Sequence, residues 1–388
     1  MMMKGRRVAV LGAGSVGSVV AADLAEESDL EVVAFDRDEA ARGRLPAAGR
    51  VRFERADLSD PAEVARAVEH ADLVIGTVPG FLGFRALRVA IEAKRDVVDV
   101  SFMPEDPFEL EARARENGVT AIVDCGVAPG LSNLIVGRAA AELDPLHSVR
   151  ILVGGLPVVR RWPYEYCAVF SPLDVLEEYT RPARLVEGGR VVVREPLTEV
   201  EPVEIPGVGT LEAFNSDGLR TLLRTVKAQQ MAEKTMRYPG HADRMRMLRE
   251  TGFFSAEPMD VGGVRVRPID LTAKLLFPKW RLPEGEGDVT AMRIEIEGDR
   301  AGRRERRSWT LVDRRDAASG RTSMARTTGF PAAIAARMVL HGLIRDRGIL
   351  PTEVVGRDER VYRGFLDGLA KRGVVLHEET VVVPPTTS

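Results

Sequence analysis

Residues 8–17 read VAVLGAGSVG, which puts Gly12, Gly14 and Gly17 at G-x-G-x-x-G spacing between an apolar run and an amphipathic stretch. Each glycine answers a separate need. Gly12 allows the tight strand-to-helix turn, Gly14 lets the backbone approach a pyrophosphate, and Gly17 lets helix and strand pack closely. The helix that opens at Ser15 and Val16 would turn its free amides and partial positive charge toward the phosphates. An acid, Asp36, closes the next apolar run 19 residues after Gly17. A carboxylate there can accept both ribose hydroxyls of NAD and repels the 2′-phosphate of NADP. Arg37 and Arg42 follow closely and could answer such a phosphate, so NAD is the expected cofactor and NADP the lesser alternative.

Further candidates fall where apolar runs end. Asp57 and Leu58 are expected to flank an adenine, and Thr77 and Pro79 to run along the nicotinamide ribose. Asp99-Val-Ser101 and Asp124-Cys125 close two later runs, at the carboxyl edge where ligands bind in such sheets. The later half holds a polar and aromatic cluster: Arg160-Arg161-Trp162-Pro163-Tyr164-Glu165-Tyr166, then Asn215, then Lys234, Arg237, Tyr238 and His241. Arginine offers a carboxylate a two-pronged fork and lysine a point charge, while histidine can move a proton near neutrality. Helix capping and surface charge are the plainer readings of the same residues. No His/Cys/Asp grouping has metal-ligand spacing, and no G-x-S-x-G nucleophile motif occurs.

These residues need elements to position them. Over the first 125 residues, strand-like runs at 7–11, 31–35, 72–76, 96–100 and 119–124 alternate with helical stretches at 15–27, 61–69, 82–93 and 107–117. Continuous apolar strands between helices imply an α/β, doubly wound parallel sheet covered on both faces. Beyond about residue 145, hairpin signals at Gly188-Gly189 and strands at 289–297 and 308–313 mix with helical patterns at 219–230 and 242–251. That texture implies an α+β second domain. From Phe330 the pattern returns to helix and ends in a strand-like run, which the texture leaves unplaced. The tail PPTTS is expected to fray.

The composition of the 388 residues, with 45% hydrophobic, 29% charged and a net charge of −3, describes a globular chain and excludes a polyanion such as nucleic acid as the main partner. No run approaches the roughly 18 apolar residues of a membrane span. Two cysteines and an N-terminus that runs straight into a strand imply a cytoplasmic protein.

The segments VLGAGSVG, DCGVAPGLSN, GGLPVVRRWPYEY, FSPLDVLEEYTRPA, GTLEAFNSDG and EKTMRYPGH resemble the saccharopine dehydrogenase-like oxidoreductases, and within them the bacterial L-lysine 6-dehydrogenase branch. The resemblance implies a Rossmann domain over 1–145, an inserted substrate-binding and dimerisation domain over 146–325, and a segment over 326–388 that returns to the first. It further implies a homodimer acting on a small amino-acid substrate, with oxidative deamination of the lysine ε-amine by NAD as the leading activity. It assigns substrate anchoring to Asn215, Arg237 and Tyr238, and proton transfer to Asp124 and His241. Relatives that make or cleave saccharopine or carboxynorspermidine supply the second reading, in which Arg160 and Arg161 would hold extra carboxylates. A dinucleotide sensor without turnover is the third. The segment SFMPED (101–106) departs from the lysine branch, and Phe102, Met103, Glu105 and Asp106 would change the surroundings of the nicotinamide.

Overall fold

The computed structural model describes residues 5–46 and 49–383. The expected fraying of PPTTS lies outside the described residues. The chain divides into two compact units, one comprising Met1–Glu142 and Ala325–Val374, the other Leu143–Met324 and Val375–Ser388.

The first unit opens with β1 (Arg6–Leu11), α1 (Ser15–Leu24), β2 (Leu30–Asp36), β3 (Val51–Arg55), α2 (Pro61–Val68) and β4 (Leu73–Gly76). It continues through α3 (Gly80–Glu92), β5 (Asp96–Asp99), α4 (Glu111–Glu116), β6 (Thr120–Val123) and α5 (Leu131–Glu142). Val10, Val33, Val74, Val98 and Ile122 are all fully or almost fully buried, as expected for parallel strands covered on both faces.

The second unit contains β7 (Leu146–Pro157), α6 (Pro172–Thr180), β8 (Ala183–Glu187), β9 (Arg190–Arg194), β10 (Glu201–Ile205), β11 (Gly209–Asn215) and α7 (Leu222–Thr225). After these come β12 (Gln230–Arg237), α8 (His241–Thr251), β13 (Met259–Val261), β14 (Val264–Val266), α9 (Pro268–Trp280), β15 (Asp288–Arg300) and β16 (Arg303–Arg314). Its main sheet runs β10-β11-β12-β7-β15-β16, closed by the chain's last strand (Leu376–Val382), with β8 and β9 branching from β12. The helix expected over 219–230 is confined to α7, because Arg220 sits at φ 50° and the chain after Thr225 extends into β12. On one face of β11 and β12, Phe214 joins Tyr166, Val175, Tyr179 and Trp280 in a core beneath α6, α8 and α9.

Helix α10 (Ser323–Leu340) carries the chain back to the first unit. Its first turn is capped from β15, where Asp288 accepts from the amides of Ser323 (2.7 Å) and Met324 (2.9 Å). There follow β17 (Gly348–Pro351), α11 (Thr352–Val355), α12 (Glu359–Ala370) and β18 (Leu376–Val382). β17 completes a seven-stranded parallel sheet of order β17-β6-β5-β4-β1-β2-β3, whose strand order reverses between β1 and β4. Asp23 of α1, nearly fully buried, accepts from Arg337 of α10 and from Arg372 at 2.6 Å. That shared carboxylate ties α10 and the end of α12 to the Rossmann helix. The last strand departs from expectation: β18 does not return to the first unit but pairs antiparallel with β16.

Candidate functional site

At the reversal between β1 and β4, Gly12 adopts φ +102°, and a side chain on Gly17 would overlap the carbonyl oxygen of Gly12. Both positions therefore demand glycine. Around Gly14, by contrast, nothing stands within 4 Å of where a Cβ would lie. The amides of α1 have no side-chain cap, which is the open helix N-terminus that a pyrophosphate fits. Thr77 Oγ1 donates to the carbonyl oxygens of Leu11 and Gly12 at 2.9 Å each, so the loop after β4 braces the glycine turn.

Asp36 stands at the end of β2. Its Oδ2 accepts from Ala13 N and its Oδ1 from Asp38 N, both at 2.9 Å. The carboxylate is thus fixed in orientation beside the glycine turn and still partly accessible. Arg42, the alternative phosphate ligand, pairs with Glu39 at 2.8 Å and lies over Phe53, while Arg37 is exposed. The set fits a nicotinamide dinucleotide, held by the turn, the α1 amides and Asp36. When bound, that group accepts or gives a hydride.

Other expected cofactor contacts fare differently. Ser15 is exposed, Val16 and Pro79 are half-buried, and Asp57 is engaged with Ser59 N (3.0 Å) and Oγ (2.7 Å). Those hydrogen bonds hold the Asp57 carboxyl below its usual range. Leu58, expected against the adenine, belongs to the core beneath the sheet. Ser101 is buried, its amide donating to Asp99 Oδ1 (2.8 Å) and its hydroxyl to Oδ2 (3.2 Å), so it shapes its own loop and offers nothing outward. Met103 is likewise fully buried in that core and Asp106 caps the following turn, which corrects the expectation for these two members of SFMPED. Cys125 is fully buried, and burial pushes its thiol up, away from a nucleophilic thiolate.

Asp124 is also buried, in the left-handed region at φ 51°.

In the second unit, β12 sends Glu233, Thr235 and Arg237 toward the helices. Arg237 is 1% exposed; it pairs with Glu178 of α6, donates to the Met236 carbonyl (2.9 Å) and lies 4.6 Å above the Tyr166 ring. Burial opposes its charge, and Glu178, Tyr166 and Tyr179 outweigh that opposition. His241 is wholly enclosed beside it. Because the Tyr164 carbonyl can only accept, Nδ1 carries the proton toward it (2.9 Å), and Nε2 accepts from the Tyr179 hydroxyl (2.9 Å). Burial, then the charge of Arg237, drives the imidazole down to about 3. His241 is therefore a neutral core histidine with both nitrogens engaged, and its expected proton-transfer role falls.

The expected substrate anchors are enclosed too. Tyr238 donates its hydroxyl to the Pro157 carbonyl (3.0 Å) under the guanidinium of Arg160, and Asn215 reaches Thr198 Oγ1 (3.2 Å) from full burial. The exposed forks are Arg160 and Arg161, held by Glu165 and Glu286, beside a Trp162 that is 80% exposed under Arg244. Glu212 and Glu233 stand in the polar cluster that the sequence marks out, but sequence reasoning gave neither of them a role and did not single out Glu178. Glu212 accepts from Gly240 N (2.8 Å) and Ala242 N (2.6 Å), capping α8 from the neighbouring strand. No spacing along the chain signals such partners. A groove of about 420 Å³ on the opposite face of the sheet, lined by Arg150, Glu187, Glu295 and Glu297, is already saturated with ion pairs.

Glu233 accepts from Ser216 Oγ at 2.7 Å, and burial lifts its carboxyl to about 8. Glu233 holds its proton in the fold up to about pH 8 but loses it near 4.5 when unfolded, so its contribution declines as pH rises between those values. His241 acts oppositely: protonation of the unfolded chain lowers stability as pH falls from 6.5 toward 3. Denaturant midpoints should therefore plateau between about pH 4.5 and 6.5 and fall from there to pH 8. Glu233→Gln should flatten the fall above 6.5; an unaltered slope would show that Glu233 ionises normally.

Comparison with known proteins adds the following. Residues 8–122 match the saccharopine dehydrogenase NADP binding domain, and residues 126–374 the saccharopine dehydrogenase C-terminal domain. A carboxyaminopropylagmatine dehydrogenase of Synechocystis is 22% identical over 96% of this chain and 97% of its own. The L-glutamate-forming, NADP(+) saccharopine dehydrogenase of Saccharomyces cerevisiae is 24% identical over 97% of this chain and all of its own. Among solved structures, the apo yeast saccharopine dehydrogenase superposes with a TM-score of 0.79 at 22% identity, covering 97% of this chain and 100% of that one. A homospermidine synthase from Legionella pneumophila in complex with NAD gives 0.63 at 12%, covering 100% and 94%. At such identities the superpositions bear on the fold.

Proposed function

The chain belongs to the saccharopine dehydrogenase family, and from that premise we propose that it oxidises a secondary amine formed between an amino acid and a second carbon skeleton, with NAD as the acceptor. It is an NAD(P)-dependent dehydrogenase acting on CH–NH or CH–NH2 groups of amino-acid substrates. The observation that carries the finer reading is the end-to-end correspondence with relatives named for saccharopine and carboxyaminopropylagmatine, both secondary amines. Hydride leaves the carbon bearing the nitrogen together with its bonding electrons, the nitrogen gives up a proton, and water divides the resulting imine into an aldehyde or keto acid and a primary amine. Two physical demands follow: the distal carboxylates must be held so that the reacting carbon keeps its place, and a proton acceptor must serve the nitrogen. Arg160 and Arg161 are half-exposed and would meet the first demand by exchanging their surface partners Glu165 and Glu286 for a substrate carboxylate.

Deamination of lysine itself is the second reading, favoured by the segments 209–218 and 233–241. Of their singled-out members, Arg237, Tyr238 and His241 are buried and engaged internally, while Asn215 is buried with its amide nitrogen on Thr198 and its Oδ1 unpartnered; the first three read as framework, which weakens the segments as a substrate signature. NAD over NADP rests on Asp36. No helix among the described residues is long and apolar enough to cross a membrane, and the two buried free cysteines support a reducing, cytoplasmic setting.

Purified chain should form NADH from saccharopine or carboxyaminopropylagmatine with at least tenfold higher kcat/KM than from L-lysine, and without releasing ammonia. NADH and stoichiometric ammonia from lysine alone would overturn this in favour of deamination. Tight NAD binding without turnover on any of the three would leave the sensor.

A further inference from the structure

Gly329 lies in the interior of α10, where glycine weakens a helix and needs a packing reason to be present. It is buried against α1. A Cβ at this position would lie 3.2 Å from Val19 Cγ1, 3.3 Å from Val19 Cβ and 3.3 Å from the Val16 carbonyl oxygen, so that one of the helices would have to give way. The residue before it, Thr328, closes on the turn after β6, its Cγ2 standing 3.2 Å from the place of a Cβ on Gly126. Further along the pair, Arg337 of α10 donates to the carboxylate of Asp23 and, at 2.8 Å, to its carbonyl oxygen. α10 therefore runs beside α1 in the same direction. It meets α1 at both ends, and at the first of them the close approach depends on glycine.

That first turn of α1 is also the one left open for a pyrophosphate. Ser18 N donates to the Gly14 carbonyl (3.0 Å), the opening bond of the helix, so the amides of Ser15, Val16 and Gly17 precede the ladder and remain for a ligand. Val16 carries both features: its amide belongs to the open set, and its carbonyl oxygen abuts Gly329. We infer that Gly329 is a positioning residue for the dinucleotide: by lacking a side chain it lets α1 settle at the depth where its first-turn amides meet the pyrophosphate. It acts through α1, from the side of that helix turned toward α10. The inference rests on reading the glycine turn as the dinucleotide site. Because the pyrophosphate is common to NAD and NADP, the effect of Gly329 is blind to the 2′-phosphate, unlike that of Asp36.

Titration calorimetry with both dinucleotides tests this without a substrate. Gly329→Ala should raise the dissociation constants of NAD and NADP alike, by about tenfold, because a binding group displaced by a fraction of an ångström loses affinity on that order. Alanine is the better helix former, so far-UV circular dichroism should be unchanged. Val19→Ala removes the nearest contact, and combined with Gly329→Ala should restore affinity to within about threefold of the wild type. Val19→Ile crowds the same contact from α1 and should weaken both dinucleotides severalfold, which keeps the inference testable should Gly329→Ala fail to fold. Gly368→Ala is the control. Its Cβ presses on α10 from α12, 2.8 Å from Ile334 Cδ1, and should leave both constants unchanged. Wild-type affinity in Gly329→Ala or Val19→Ile, a loss confined to NAD, or an equal loss in Gly368→Ala overturns the assignment. A wild type that binds neither dinucleotide overturns the reading of the turn, and the assignment with it.

Discussion

Asp36→Ala should weaken NAD binding by about 10–100-fold and NADP binding far less. The factor follows from losing two hydrogen bonds to an ionised acceptor, each in the range of ~1.5–3 kcal/mol, partly offset by water that solvates the exposed ribose. The asymmetry follows from charge, because the same carboxylate that favours two hydroxyls repels a 2′-phosphate. Asp36 Oδ2 also holds the Ala13 amide, so the alanine variant loosens the glycine turn for both cofactors. Asp36→Asn separates the two effects. It keeps an acceptor for Ala13 and removes the repulsion, and should therefore improve NADP binding while NAD weakens. Titration calorimetry with both dinucleotides decides the matter; an equal loss for NAD and NADP in the alanine variant would remove Asp36 from the ribose site.

The second large effect concerns Arg237, where the structure changes what the variant should do. An accessible anchor would raise KM when truncated and leave the fold alone. Arg237 instead sits almost fully buried on Glu178, and removing it strands a carboxylate in the core beneath α6 and α8. Breaking one side of such a pair costs about 3–5 kcal/mol. Arg237→Ala should therefore lower the urea midpoint by that equivalent, and the double replacement Arg237→Met/Glu178→Met should restore much of it, since paired apolar residues leave no uncompensated charge. Unchanged stability with a KM raised more than tenfold would return Arg237 to the substrate.

Much of the first unit is legible along the chain because its determinants are local. The apolar runs ending at Leu11, Asp36, Gly76 and Asp99 mark buried parallel strands, and the glycine turn is encoded in six consecutive residues. β3 reads poorly because VRFER alternates apolar and charged residues at the sheet edge. α7 reads as a longer helix because Leu219, Leu222 and Val226 are spaced for one, whereas tertiary packing buries them in a single turn followed by a strand. β18 resembles any terminal strand, and only its pairing with β16 assigns it to the second unit.

By itself, then, the sequence determined the doubly wound sheet, the glycine turn and the acid that closes β2 beside it, since each depends on spacing within one strand–turn–helix unit. Tertiary structure alone decided which polar residues are available for chemistry. Arg237 meets Glu178 from 59 positions away and His241 meets Tyr179 from 62, and a side chain's charge, tautomer and access to ligand depend on those neighbours. Residue type states what a group could do; burial and partners, which no local pattern encodes, determine whether it remains free to do it.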